Sequence, residues 1–173
     1  MIYIVRHGQT EWNKIKRIAG RTDIELNQQG ILQAQQIADM FKDIKFDVVI
    51  SSPLKRTLQT AQIITKTPIV IDERLIERSN GELEGKMVKD IPQDLDFNNE
   101  NETRFNIENI KDFRKRILSF CNDLTTKYKG KNVLVTTHSG VILYIRCFFE
   151  GEPKDNNFNL YKISNCEILK YEN

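Results

Sequence analysis

The sequence predicts an α/β fold: a three-layer sandwich with a mainly parallel central sheet, helices on both faces and a short flap insertion. Three observations carry this expectation. Short, continuous apolar runs rich in β-branched residues recur along the chain, as buried parallel strands require. Between them lie longer stretches whose apolar residues repeat at steps of three and four, the period of an amphipathic helix. Strands that alternate with helices build βαβ units and hence a parallel sheet. The 173 residues suit one domain, in which folding buries roughly 70% of the unfolded chain's surface.

Each element follows from its own pattern. Residues 2–5 form the first apolar run, 46–50 the second, 69–71 the third and 133–135 the fourth. Two further stretches, 160–163 and 168–171, read as one or two edge strands. Ile31, Ala34, Ile37, Ala38 and Phe41 fall on one helical face, and Leu58, Ala61 and Ile64 on another after Pro53 marks a start. Ile110, Phe113, Ile117, Phe120 and Leu124 make the most regular stripe in the chain, and 141–149 reads as a more apolar, buried helix. The stretch 86–106 breaks the alternation. It is polar, contains Pro92 and the run Asn98-Asn99-Glu100-Asn101-Glu102, and reads as a flap within one domain spanning residues 1–173.

Composition excludes several classes of function. At 39% hydrophobic and 29% charged the chain is an ordinary globular protein. A net charge of +2 gives no expectation of a nucleic-acid partner, because phosphate-backbone binders concentrate many Lys and Arg on one face. No apolar run approaches the ~20 residues that span a bilayer, so no membrane association is expected. The start, Met1 to Val5 followed at once by Arg6, is not a signal peptide. Cys121, Cys147 and Cys166 are odd in number and widely spaced, as expected of reduced thiols in a cytoplasmic protein rather than a disulfide framework. With two histidines and no cysteine cluster, no zinc site is expected.

In parallel α/β sheets ligands bind beyond the carboxyl ends of the strands, so the strand exits deserve a residue-by-residue reading. The first is followed by Arg6-His7-Gly8 and the second by Ser51-Ser52-Pro53-Leu54-Lys55-Arg56. The third is followed by Asp72 to Glu77 and the fourth by Thr136-Thr137-His138-Ser139-Gly140. Both histidines of the chain thus occupy strand exits, with arginines and carboxylates at the others. Arginine binds phosphate bidentately and is always charged. A neutral imidazole is a nucleophile toward phosphorus. Backbone N–H groups at helix starts favour an anion as well. The combination points to phosphoryl transfer.

The segment Arg6-His7-Gly8-Gln9-Thr10-Glu11-Trp12-Asn13 resembles the RHGxTxxN signature of the histidine phosphatase superfamily, the phosphoglycerate mutase-like proteins. The resemblance continues through Gly20-Arg21-Thr22-Asp23, Leu26, Gly30 and Ser51 to Ala61. It resumes at Leu75, Glu77, Gly81, Glu84-Gly85, residues 133–140 and Asn165. It implies that His7 is the nucleophile and becomes a phosphohistidine, and that Arg6, Arg56 and His138 contact the phosphoryl group. Asn13 and backbone N–H groups near Ser139 help to hold it, and Glu77 is the proton donor, with Glu73, Glu82 and Glu84 as rivals. Thr10, Gly20 and Arg21 are candidate substrate contacts or turn residues. The resemblance further implies no metal and no organic cofactor, with a small-molecule phosphate ester as partner and a monomer or homodimer as the assembly.

Two departures bear on the substrate. Asn80 and Leu83 stand where the family often has aromatics, and Asn106-Ile107-Glu108-Asn109 keeps only the glutamate of a frequent Gly-Glu-Ser segment. The flap is short and lacks a basic cluster for a second anionic group, which favours a phosphatase over a mutase. The leading expectation is therefore a metal-independent phosphomonoesterase. The alternatives are a phosphoglycerate mutase, an α-ribazole-type phosphatase, a phosphohistidine-protein phosphatase, and a phospho-ligand-binding regulatory module. Ser139 has no G-x-S-x-G elbow around it, and the chain has no nucleotide P-loop.

Overall fold

A computed structural model describes residues 1–154 and 157–172. Its strands are β1 (Ile2–Arg6), β2 (Val48–Ser51), β3 (Ile69–Ile71), β4 (Val133–Thr137) and β5 (Ile168–Tyr171). Its helices are α1 (Glu11–Lys14), α2 (Gln28–Met40), α3 (Lys55–Ile64), α4 (Ile110–Lys127) and α5 (Ser139–Glu150). Among the described residues the strands make one sheet in the order β3-β2-β4-β1-β5. All pairings are parallel except β1 with β5, which run antiparallel.

The period-two geometry of a strand sends successive side chains to opposite faces, and here both faces are covered. Ile2, Ile4, Ile50, Val133 and Val135 join Ile110, Phe113, Ile117, Phe120 and Leu124 of α4 and Val141, Ile142 and Ile145 of α5 in one core. Val5, Val49 and Leu134 join Ile37 of α2, Phe41 just after it, and Ala61 and Ile64 of α3 in the other. The expected three-layer sandwich is therefore present. β4 is buried at every position, and its continuous apolar run reflects that two-sided cover.

Two elements differ from expectation. Residues 160–163 form no strand: Phe158–Tyr161 is a 3₁₀ turn, and Ile163 enters the α4–α5 core. An apolar run of this length has no periodicity to separate strand from turn. The single turn α1 was not anticipated. It exists because Thr10 and Asn13 form a reciprocal capping box, Thr10 Oγ1 accepting from Asn13 N–H and Asn13 Oδ1 from Thr10 N–H, both at 3.1 Å.

The register aligns the ends that matter. Arg6 lies opposite Thr137, and Ser51 opposite Thr136. The residues that leave β1, β4 and β2 therefore emerge side by side at the carboxyl edge of the sheet. Parallel pairing requires crossovers, so segments more than a hundred residues apart in sequence meet there.

Candidate active site

His7 leaves β1 with its backbone N–H donating to Thr137 O at 3.0 Å. Its ring is 4% exposed. Nδ1 lies 2.7 Å from Gly8 O. A carbonyl only accepts, so this contact places the proton on Nδ1 and leaves the Nε2 lone pair free. Gly8 is required here by space: a Cβ at this position would sit 2.5 Å from Gly30 O. Gly8 N–H in turn donates to Thr60 Oγ1 at 3.0 Å, and that hydroxyl donates to Arg56 O. Asn165 Nδ2 donates to His7 O at 3.0 Å and to Asn13 Oδ1 at 3.3 Å.

His138 leaves β4 fully buried, its ring 5.3 Å from that of His7 between centroids. Its Nε2 is 2.7 Å from Ser52 Oγ at the exit of β2. Leu54 N–H donates to the same hydroxyl at 3.4 Å. Ser52 thus ties the imidazole to the start of α3, and His138 Nδ1 is buried without a partner. Burial first, then the charges of Arg56 and Arg6, hold His7 well below the ordinary imidazole range. Burial, Arg56, His7, Arg6 and Arg116 do the same for His138. Both rings are thus neutral at pH 7.

Arg56 is 1% exposed. Its Nη1 donates to Thr22 O at 2.9 Å and its Nη2 to Gly20 O at 2.7 Å. Arg6 Nη1 donates to Ile163 O at 2.5 Å. Among the described residues neither guanidinium has a carboxylate within ion-pair distance. The Nε–H of each is buried and unpartnered. Burial lowers both groups' pKa. Arg56 is buried and Arg6 half-buried; a cation withdrawn from water without a directly paired carboxylate is costly, and two of them beside two neutral imidazoles favour an anion.

Glu77 supplies the carboxylate. Its charge acts on both Arg6 and Arg56. Oε2 accepts from Gly140 N–H at the start of α5, 3.2 Å away, and Oε1 from Arg78 N–H at 2.9 Å. Gly140 makes the approach possible, since a Cβ there would lie 2.5 Å from Oε1. The rivals are engaged elsewhere or face solvent. Glu73 is exposed, and Glu82 is exposed and accepts from Asn106. Glu84 accepts from Arg21 N, Thr22 N, Thr22 Oγ1 and Asn80 N.

The other expected contacts divide. Gly20 presents its carbonyl to Arg56. Asn13 and Thr10 are committed to the α1 cap, Thr10 fully buried. Ser139 opens α5 beside Gly140. Arg21 Nε donates to the Glu77 carbonyl at 3.1 Å and Nη2 pairs with Glu108 at 3.1 Å, which makes it part of the frame around Glu77. Residues Phe97 and Asn98 of the 86–106 stretch join Glu77, Gly140, Phe113 and Tyr144 around a pocket of about 220 Å³. Arg78 Nη1 ties the stretch down by donating to Phe97 O at 2.6 Å.

The sequence offers Glu84 only as a rival acid and gives Ser52, Glu108, Arg116 and Asn165 no role. Ser52 could have been flagged by its place at a strand exit. The others act mainly through partners in distant segments, or through backbone carbonyls, for which a sequence has no signal. The cysteines are free. Burial pushes the Cys121 thiol up to about 12, so it supplies no thiolate at neutral pH. No described helix is long and apolar enough to cross a membrane.

Comparison with known proteins agrees with this geometry. The histidine phosphatase superfamily (branch 1) matches residues 2–172. Phosphoglycerate mutase-like protein 4 of Arabidopsis thaliana is 35% identical over 154 residues, 82% of this chain and 67% of that one. A phosphoserine phosphatase mutant from Entamoeba histolytica, solved in complex with phosphoserine, superposes with a TM-score of 0.83 at 28% identity, over 96% of this chain and 87% of that one. The α-ribazole phosphatase of Shigella flexneri gives 0.81 at 25% identity, over 95% and 86%. The chain belongs to the histidine phosphatase superfamily and is by class a phosphatase hydrolase.

Proposed function

We propose that this chain hydrolyses a small, soluble phosphate monoester through a phosphohistidine on His7. The observation that carries the reading is the pair of guanidiniums with no directly paired carboxylate and with unpartnered Nε–H groups, beside an imidazole whose Nε2 lone pair is free. The phosphoryl group of the substrate is the anion that pairs with them. Arg6, Arg56 and His138 donate to its non-bridging oxygens, with the spare N–H groups named above.

In the first step the His7 Nε2 lone pair attacks phosphorus. The bond from phosphorus to the ester oxygen breaks, and Glu77, protonated in the reacting complex, gives that oxygen its proton as the alcohol leaves. In the second step a water oxygen attacks phosphorus and its proton passes to Glu77. The P–N bond breaks, its electrons return to Nε2, and inorganic phosphate departs. An alkoxide is a poor leaving group, so a positioned acid is worth about 10²–10⁴-fold. Guanidiniums supply the positive charge, and no step calls for a metal. The flap side of the pocket, at Phe97 and Asn98, receives the alcohol portion of the ester.

Hydrolysis of 4-nitrophenyl phosphate in excess EDTA tests the reading. Wild type should retain activity, His7→Ala should lose it, and acid quench should trap an acid-labile, base-stable phosphoenzyme. Activity that vanishes with EDTA or survives His7→Ala sinks it. A panel of phosphometabolites then separates the alternatives. Isomerisation of 3-phosphoglycerate without phosphate release identifies a mutase instead, and binding without turnover identifies a regulatory module.

A further inference from the structure

Glu108 comes from the segment that departs from the family pattern, and the hydrolytic steps give it no part. Its carboxylate is nonetheless heavily used. Oε1 and Oε2 grip Arg116 bidentately, at 2.9 Å to Nε and 3.0 Å to Nη2. Oε1 also pairs with Arg21 Nη2 at 3.1 Å, and Oε2 accepts from Ser79 N–H at 3.3 Å. The Glu108 side chain is only 14% exposed, and that of Arg116 17%.

The two arginines converge on one atom. Arg116 Nη2 donates to Glu77 O at 3.2 Å and Arg21 Nε donates to the same oxygen at 3.1 Å. Arg116 Nη1 donates to Arg74 O at 2.5 Å, three residues upstream. The Glu108 backbone fixes the downstream side, its N–H donating to Ser79 O at 2.9 Å and its carbonyl accepting from Arg78 Nε at 2.9 Å. The loop that carries Glu77 is thus held at residues 74, 77, 78 and 79 by one carboxylate, its own peptide groups and the two cations it orients. Residues 74–79 have no regular secondary structure after Leu75, so no helix or strand ladder does this work.

We infer that Glu108 is a positioning residue for the acid: it orients Arg21 and Arg116, and through them sets the Glu77 carboxylate against the leaving-group oxygen. This rests on Glu77 acting as the proton donor. Glu108 touches no reacting atom, and its removal should be felt where proton donation matters. An acid displaced by a fraction of an ångström loses much of its effect, because misplacement of about 1 Å can cost 10²-fold.

The test compares kcat/KM for phenyl phosphate, whose leaving group needs a proton, with 4-nitrophenyl phosphate, whose leaving group does not. Glu108→Gln keeps the shape and removes the charge. It should lower kcat/KM for phenyl phosphate roughly 10- to 100-fold and for 4-nitrophenyl phosphate less than about threefold. Glu77→Gln should show the same selectivity, and the double variant should be no worse than Glu77→Gln alone. Equal losses on both esters, no loss, or full additivity with Glu77→Gln overturns the inference. If Glu77→Gln itself shows no selectivity, the assignment of the acid has failed instead, a separate result. Arg116→Lys keeps the positive charge and breaks the fork, and serves where Glu108→Gln melts below assay temperature. It should give the same selective loss, and an unselective one counts against the proposal.

Discussion

Acidification should destabilise this fold through two specific groups, His7 and His138. Both rings are buried and held well below the ordinary value of 6.5. The unfolded chain therefore binds more protons than the folded one at any pH between the folded value and about 6.5. Stability is full above about 6.5 and falls as pH drops through that window. At pH 5.5 an unfolded imidazole is about ten-to-one protonated, so each folded ring kept neutral there costs up to about 1.4 kcal/mol. Two rings give up to about 2.8 kcal/mol, or roughly 5–10 °C in Tm for a domain of this size. The assay is thermal unfolding from pH 7.5 to 5.5 in phosphate-free buffer at constant ionic strength. The comparison is the double variant His7→Asn/His138→Gln, whose amides replace the nitrogens that face Gly8 O and Ser52 Oγ. The variant should lose most of the pH slope. An equal slope in both proteins would refute the reasoning, because the titrating groups would then lie elsewhere.

Three further outcomes follow from the geometry. Gly140→Ala should cut kcat/KM for phenyl phosphate by at least about tenfold with an unchanged circular dichroism spectrum, since the new Cβ meets Glu77 Oε1 and displaces the acid. Glu84→Ala strips three hydrogen bonds from the turn that presents the Gly20 and Thr22 carbonyls to Arg56 and a fourth from Asn80 N; it should cost about 1–3 kcal/mol in denaturant unfolding and raise KM. Inorganic phosphate at a hundred times its Kd should stabilise the chain by about 2.7 kcal/mol, read as a rise in Tm that chloride of equal ionic strength does not reproduce and Arg56→Ala reduces.

The parts of the fold legible in sequence are those dictated by local physics. The strands at residues 2–5, 69–71 and 133–135 and the α4 stripe depend on hydrophobic period alone, and the structure places them as read. Residues 160–163 misled because a short apolar run fits a turn as well as a strand. α1 was missed because a capping box spans only four residues and competes with no periodic signal. At the site, the strand-exit rule found His7, Arg56 and His138 without regard to any relative. The sequence motif singled out Glu77 from its rivals; in the structure its charge acts on both Arg6 and Arg56, while Glu84 is bound at Arg21, Thr22 and Asn80.

Sequence alone determined which residue types stand at the carboxyl ends of the strands, and so that the chemistry is phosphoryl transfer. Only the tertiary structure decided how those residues act. The proton sits on Nδ1 of His7 because Gly8 O lies 2.7 Å away. The arginines are free to meet a phosphate because the fold buries them against carbonyls rather than carboxylates. Glu77 stands where it does because Glu108 and its two arginines hold a loop that has no ladder of its own. Each is a property of distance between segments far apart in the chain, and no local pattern encodes it.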